Sequence, residues 1–359
     1  MRRITPKYVQ KGMILGQAVH DAYGNLLLDL GTSLNDRCRE AMIQGGVPEI
    51  FIEDRRTDDV IVAPMFSPHQ EGRLAKEFRG LLEEIREKRS LNKKTFEQVC
   101  VQVNEIAKNL SLEMFGEINV SYRISSRDYL YLQPVKTAIL SLAIGHRLGI
   151  HDDELAELGT AALFKDIGYL YFPVETLNRV INSADEDPAI REHPALGDKL
   201  LNSTKSVSAN ISRAVLQHHE RWNGSGYPNT LKGTQITRLA QIIALVDCFS
   251  NLLVERPRQE KYMTHQAVEF IMAYGGELFN PELVEFFVRV IPCFASGLMV
   301  QLNTGEVGLV SNPNLGSVAR PVVRICRDAA GNDLDEPFDL DLAKAENQTR
   351  LITKILEYD

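Results

Sequence analysis

Residues 209–228 read ANISRAVLQHHERWNGSGYP, and this stretch decides the fold. Its first part, through Trp222, carries apolar residues at helical spacing and predicts a helix. Two adjacent histidines and a glutamate (His218, His219, Glu220) then run into a tight Gly-Ser-Gly-Tyr-Pro turn at 224–228. Histidine is the commonest borderline metal ligand, and the glycines of such a turn let backbone approach a ligand closely. The stretch suggests a metal-assisted phosphoester site carried by a helical domain.

The neighbouring sequence agrees. KTAILSLAIGHRLGI (136–150), ELAELGTAALFKDIG (154–168), RLAQIIALVDCFSNLL (238–253) and THQAVEFIMAYGG (264–276) each predict a helix. No strand-rich stretch interrupts them between Tyr129 and about Val290, so a helical domain with a buried apolar interior is expected. Before it, residues 1–54 predict a small α+β module. Its strands are MILGQAV, NLLLDLG and EIFIED, and a short helix is capped by Ser33 or Asn35 and ends at Gly45-Gly46. Residues 55–118 read as a linker followed by a helical connector, whose stripe of Phe78, Leu81, Leu82 and Ile85 is a packing face. The helical domain is placed at 119–292. Residues 293–359 predict a C-terminal β appendage of two or three strands, with the acidic stretch Asp328–Asp341 as a solvated loop.

The bulk numbers exclude several classes. A formal net charge of −8 argues against a chain-wide nucleic-acid footprint, so no DNA partner is expected. Five scattered cysteines without a CxxC argue against a disulfide framework or zinc ribbon and fit a reducing cytoplasm. The start, MRRITPKYVQKGM, has no apolar core behind its basic residues, and no run of about 18 apolar residues exists. Neither a secretory signal nor a membrane span is expected.

Within the helical domain the candidate ligands are Asp166, His193, His218, His219 and Asp247. His193 stands at a helix entry fixed by Pro194. Asp247 lies in the apolar run ALVDCF, where a carboxylate is costly unless paired or metal-bound. Any one of these residues alone is more often an ordinary polar side chain, and Asp247 fits equally a helix-capping role. The histidine pair beside the turn is harder to dismiss.

The succession AALFKDIGYLYFP, EHPALG, QHHERWNGSGYP and ALVDCFSNLLVERP resembles the HD-GYP branch of the HD phosphohydrolase superfamily over roughly Arg127 to Phe287. The resemblance implies an all-helical domain, two or three metal ions (often iron or manganese), and hydrolysis of the bacterial second messenger cyclic di-GMP. Matched by position, the metal ligands Asp166, His193, His218, His219 and Asp247 are kept, and so is the turn Gly226, Tyr227, Pro228. A substrate-phosphate arginine matches Arg256. The departures are specific. Gln133 and Lys165 stand where the family has histidine ligands, Tyr169 replaces a lysine near the bridging water, Asn223 replaces an aspartate, and Gln259 a basic residue. In the family both lost histidines serve one metal, so the resemblance implies a partial site for one ion, held by Asp166, His193, His218 and His219. Lys165, Tyr169 and Asp166 are then the altered catalytic group, with Lys165 free to bridge to Asp166 or Asp247.

Three functions fit these residues. The first is a divergent cyclic di-GMP protein with weak or lost phosphodiesterase activity. In the second, an inactive module docks a signalling partner, such as a diguanylate cyclase, through the turn. The third is a single-metal hydrolase of another phosphoester.

Overall fold

The computed structural model describes residues 1–356 except 22, 58, 61–65, 111–128, 174, 178–187, 205, 255–261 and 315–316. These residues fall into two compact units, one drawn from both chain ends (1–65 and 288–359) and one from 66–114 and 124–287. The architecture is mainly helical, with a small N-terminal α+β module and a C-terminal antiparallel sheet.

In the first unit, β1 (Arg2–Ile4) pairs antiparallel with β4 (Ile50–Ile52), and β2 (Val19–His20) with β3 (Leu26–Leu28). Helix α1 (Asp36–Gln44) starts where the Asn35 side chain accepts from Cys38 N at 3.1 Å, and it stops at Gly45, with Gly46 at φ +68°. Its core is Ile4, Val9, Leu15, Leu34, Met42 and Ile50. The expected strands over 13–19 and 25–31 shrink to short pieces, and the sequence reading missed β1. The segment Arg-Arg-Ile shows no apolar alternation. Both arginines are nevertheless buried, Arg2 beside Asp54 at 3.6 Å and Arg3 against Glu49.

The C-terminal sheet holds β5 (Met299–Leu302), β6 (Val307–Asn312), β7 (Val322–Arg327), β8 (Asp333–Asp341) and β9 (Ile352–Leu356) in the order β8-β7-β6-β5-β9. The acidic stretch is therefore a strand over most of its length, correcting the solvated-loop expectation. The charge that argued for a loop is matched across the ladder: Arg324 pairs with Asp339 at 2.9 Å and Arg327 with Asp333 at 2.8 Å.

The helical unit comprises α2 (Pro68–Lys88), α3 (Lys93–Leu110), α4 (Tyr129–Arg147), α5 (Asp152–Phe164), α6 (His193–Asn202), α7 (Ala209–Gln217), α8 (Arg238–Leu252), α9 (Thr264–Ala273) and the start of α10 (Pro281–Val290). Phe78, Leu81, Leu82 and Ile85 of α2 are buried, as the stripe predicts. Helix α4 is buried nearly all round from Leu132 to Gly145, the mark of a central helix. Phe164 ends α5 with its ring 5.5 Å from that of Phe78 and 5.1 Å from that of Phe96. Burying such a ring contributes about 1.5–3 kcal/mol, and here it anchors the chain one residue before Lys165.

A candidate metal centre at the ends of three helices

Four of the candidate ligands lie where a helix stops or starts, and Asp247 lies within α8. Helix α5 ends at Phe164, Lys165 is its C-cap, and Asp166 opens a 3-10 turn over Ile167–Tyr171. His193 is the first residue of α6. Helix α7 ends at Gln217, so His218 is its cap and His219 lies beyond it, short of the helix expected through Trp222. Leaving the helix frees the two adjacent imidazoles from the rotation of about 100° per residue that would separate them, and both face His193. Their rings lie 5.3 Å (His218) and 4.9 Å (His219) from the His193 ring.

One close approach makes this convergence possible. A Cβ on Gly168 would fall inside van der Waals contact of the His193 carbonyl. Only glycine lets the turn after Asp166 lie directly on the start of α6.

The geometry fits a cation. Asp166, His193, His218 and His219 each offer one ligand atom, all within 4.8 Å of one another. The His193 Nδ1 lies 2.7 Å from the Ile190 carbonyl and the His218 Nδ1 2.6 Å from the Val215 carbonyl. A carbonyl only accepts, so these nitrogens carry the hydrogens, and in neutral rings both Nε2 atoms are bare acceptors. They lie 3.3 Å apart, and 3.4 and 3.6 Å from Asp166 Oδ1. Three acceptors facing one another repel unless a cation or an extra proton lies between them. Burial holds His218 below the usual imidazole pKa. His219 is pushed further down by burial and by the neighbouring histidines, so an added proton is disfavoured there. A tetrahedral ion with bonds of about 2.1 Å sets its donors about 3.4 Å apart, matching these spacings. Nδ1 hydrogen bonds to backbone carbonyls are the usual means of orienting metal-ligating histidines.

The other oxygen of Asp166 is taken by a cation belonging to the protein. The Lys165 ammonium, 2% exposed, contacts Asp166 Oδ2 and lies 2.9 Å from Asp247 Oδ1. Burial alone would depress its pKa, but the two carboxylates outweigh burial and hold it above the ordinary lysine value. Asp166 is held well below the carboxylate range, Lys165 outweighing the upward push of burial. Asp247 stands apart from the histidine group. It faces Lys165 and accepts from Asn251 Nδ2 at 3.0 Å. Gln133 is fully buried on α4 and donates to Ser250 Oγ (2.9 Å) and Asn251 Oδ1 (3.1 Å). The Tyr169 ring lies 4.1 Å from that of His193.

The turn closes over this group. The Tyr227 ring stacks on that of His219 at 4.6 Å and 15°, and Asn223 Oδ1 accepts from Ser225 N at 2.9 Å. Gly226 packs so tightly on the His219 and Glu220 backbone that no Cβ fits. Pro228 is exposed. Arg256 lies outside the described residues. The sequence reading gave no role to Gly168 or Glu220. The signal for Gly168 was a glycine directly after Asp-Ile. For Glu220 it was an acid placed directly after the histidine pair.

The HD domain family model matches residues 118–283, and a model of the KOW domain associated with HD domains matches residues 299–358. A cyclic di-GMP phosphodiesterase of Pseudomonas aeruginosa is 29% identical over 229 residues, covering 64% of this chain and 55% of that protein. A response-regulator cyclic di-GMP phosphodiesterase of Xanthomonas campestris is 32% identical over 148 residues, 41% of this chain and 39% of that protein. A 3'3'-cGAMP-specific phosphodiesterase of Vibrio cholerae is 28% identical over 263 residues, 70% of this chain and 48% of that protein. The chain spans about half the length of the curated relatives it matches. Among solved structures, an HDG"Y"P protein from Bdellovibrio bacteriovorus shares the fold, with a TM-score of 0.51 at 16% identity, covering 80% of this chain and 97% of that one. Among the described residues, no helix is long and apolar enough to cross a membrane.

Proposed function

The chain belongs to the HD-GYP branch of the HD domain family through residues 118–283, and on that premise we propose that it is a divergent member of cyclic di-GMP signalling, keeping one metal position and hydrolysing the nucleotide weakly or not at all. The observation that carries this reading is the division of Asp166. One oxygen faces the Nε2 atoms of His193 and His218, and the other faces the Lys165 ammonium.

Asp166, His193, His218 and His219 would hold the ion, iron or manganese or another divalent transition metal. Such an ion polarises a phosphodiester oxygen and lowers the pKa of bound water. The residues around it set the rest. Lys165 supplies one counter-charge shared by Asp166 and Asp247 without a second ion, and Gln133 donates its amide to Ser250 and Asn251 rather than facing a metal. Hydrolysis that needs charge on both attacking and leaving oxygens then has one ion and one ammonium. Loss of a single preorganised charge contact typically costs about a hundred- to a thousand-fold in rate. Gly226, Tyr227, Pro228 and Arg256 are assigned to the nucleotide side.

The alternative of an inactive docking module draws on one feature. The tip of the turn at Ser225 and Pro228–Thr230 is exposed, while its backbone is tied to the helical unit through Trp222 N to Leu278 O and Asn223 N to Glu277 O. A rigid, exposed loop of this kind suits a partner such as a diguanylate cyclase.

Metal content of the purified protein by elemental analysis, with His218→Ala as control, followed by cyclic di-GMP binding and turnover with Mn²⁺, tests the reading. One equivalent lost in the variant, with nucleotide binding and slow turnover, is expected. Metal binding without any nucleotide affinity would favour the docking module. Turnover of other phosphoesters alone would favour a different hydrolase.

A further inference from the structure

The three histidines of the candidate centre are not oriented in the same way. The His193 and His218 rings are each fixed by an Nδ1 hydrogen bond to a backbone carbonyl one turn earlier. Among the described residues the His219 ring has no hydrogen-bond partner. It lies beyond the end of α7. The ring packs beside those of His218 (4.2 Å) and His193 (4.9 Å), but no hydrogen bond sets its χ2 angle, and a ligand ring less firmly oriented loses more entropy on binding an ion.

The Tyr227 ring meets it, nearly parallel at 15° with centroids 4.6 Å apart. Tyr227 is in turn held by its backbone: its N–H donates to the His219 carbonyl at 3.2 Å. The return leg of the loop is fastened by Glu220. That side chain is 1% exposed, and its two oxygens accept from Asn229 N at 2.7 Å and Leu231 N at 2.9 Å. Among the described residues these two N–H groups are its only side-chain partners. A buried carboxylate without a cation is costly, so its hydrogen bonds to the backbone are held firmly and keep the loop in one position.

We propose that Tyr227 is a positioning residue for the third histidine ligand, its ring fixing that of His219 by stacking and its own place fixed by the Glu220 carboxylate. The tyrosine of the turn thereby does for His219 what the Ile190 and Val215 carbonyls do for His193 and His218. The inference rests on the metal-site reading and does not depend on which nucleotide, if any, is hydrolysed.

Co²⁺ binding to the full chain tests it, because the visible ligand-field bands report the number and arrangement of nitrogen donors. Tyr227→Leu and Glu220→Ala are each expected to weaken Co²⁺ binding about ten-fold or more and to alter the bands, as loss of an orienting group does. Tyr227→Phe retains the ring and is expected to leave both unchanged. The double variant Glu220→Ala/Tyr227→Leu is expected to lose no more than either alone, since both act through the same ring. Native affinity and bands in Tyr227→Leu, or an equal loss in Tyr227→Phe, would overturn the proposal while leaving the metal site intact. Absence of Co²⁺ binding in the native protein would overturn the metal site and the proposal together. Should Tyr227→Leu fail to fold, as read by thermal unfolding of the metal-free protein, Glu220→Gln carries the same test. Its amide keeps one acceptor oxygen and opposes one of the two N–H groups.

Discussion

The Lys165 ammonium stands 2.9 Å from an Asp247 carboxylate oxygen and at the same time touches Asp166, so one buried cation holds together two carboxylates, one just past the end of α5 and one within α8. Removing one partner of such a buried group leaves the others uncompensated. Lys165→Met is expected to lower stability by about 3–5 kcal/mol, and millimolar Mn²⁺ is expected to restore more of the loss than it adds to the native protein. Urea unfolding with and without the ion measures both. An unchanged midpoint would show that the lysine is not the counter-charge of this pair.

Placing histidines at the two departed positions tests the proposed weakness of the activity. Gln133→His combined with Lys165→His is expected to raise bound metal from one equivalent to two and cyclic di-GMP turnover about a hundred-fold. Elemental analysis and single-turnover assays read the two effects separately. A second ion without faster turnover would place the deficit elsewhere, with Tyr169 the next residue to exchange.

The loop leaves no room at Gly226. A Cβ there meets the His219 carbonyl and the Arg221 amide, both backbone atoms that cannot swing aside. Gly226→Ala is expected to destabilise the helical unit by about 1–3 kcal/mol through overpacking and to weaken metal binding with it. Thermal unfolding and Co²⁺ titration of the same preparation check this. A variant with native stability would mean that the turn relaxes without strain.

Acid sensitivity of the other unit has a local origin. Burial pushes the Asp54 carboxyl up. Hydrogen bonds from Arg56 at 2.8–3.1 Å, with Arg2 nearby, outweigh it and hold the group below its ordinary 3.8. A depressed carboxyl stabilises the folded state above the unfolded value, and this contribution is lost as pH falls from about 3.8 through the lower folded value. Asp54→Asn is expected to flatten the stability–pH curve in that window and to be less stable than the native protein at neutral pH. An unaltered slope in denaturant unfolding between pH 5 and about 2 would refute the assignment.

Much of the helical domain was legible because its signals are local. Helices α4, α5, α8 and α9 announce themselves by apolar spacing over a few turns, and the Asn35 cap and Gly45 stop of α1 by residue type alone. The acidic stretch misled for the complementary reason. Strand β8 is held by arginines on β7, and charge read along one strand says nothing of charge across the ladder. Ending α7 at Gln217 rather than Trp222 was equally hidden, since Trp222 and Asn223 donate their N–H groups to the Leu278 and Glu277 carbonyls, far along the chain, and not to the preceding helical turn.

By itself the sequence determined the fold class and the resemblance to the HD-GYP branch, and it singled out Asp166, His193, His218 and His219 as candidate donors, with Gln133 and Lys165 where the resemblance places histidines. These are properties of residue type and order. The tertiary structure alone decided what those residues do to one another. It brings bare imidazole nitrogens to 3.3 Å, gives one oxygen of Asp166 to the histidines and the other to Lys165, turns Asp247 toward that lysine, and lays Tyr227 on His219 with Glu220 behind the loop. Such relations depend on distances of a few ångströms between segments far apart in the chain. Coulombic and hydrogen-bond energies change steeply over those distances, and residue order does not encode them.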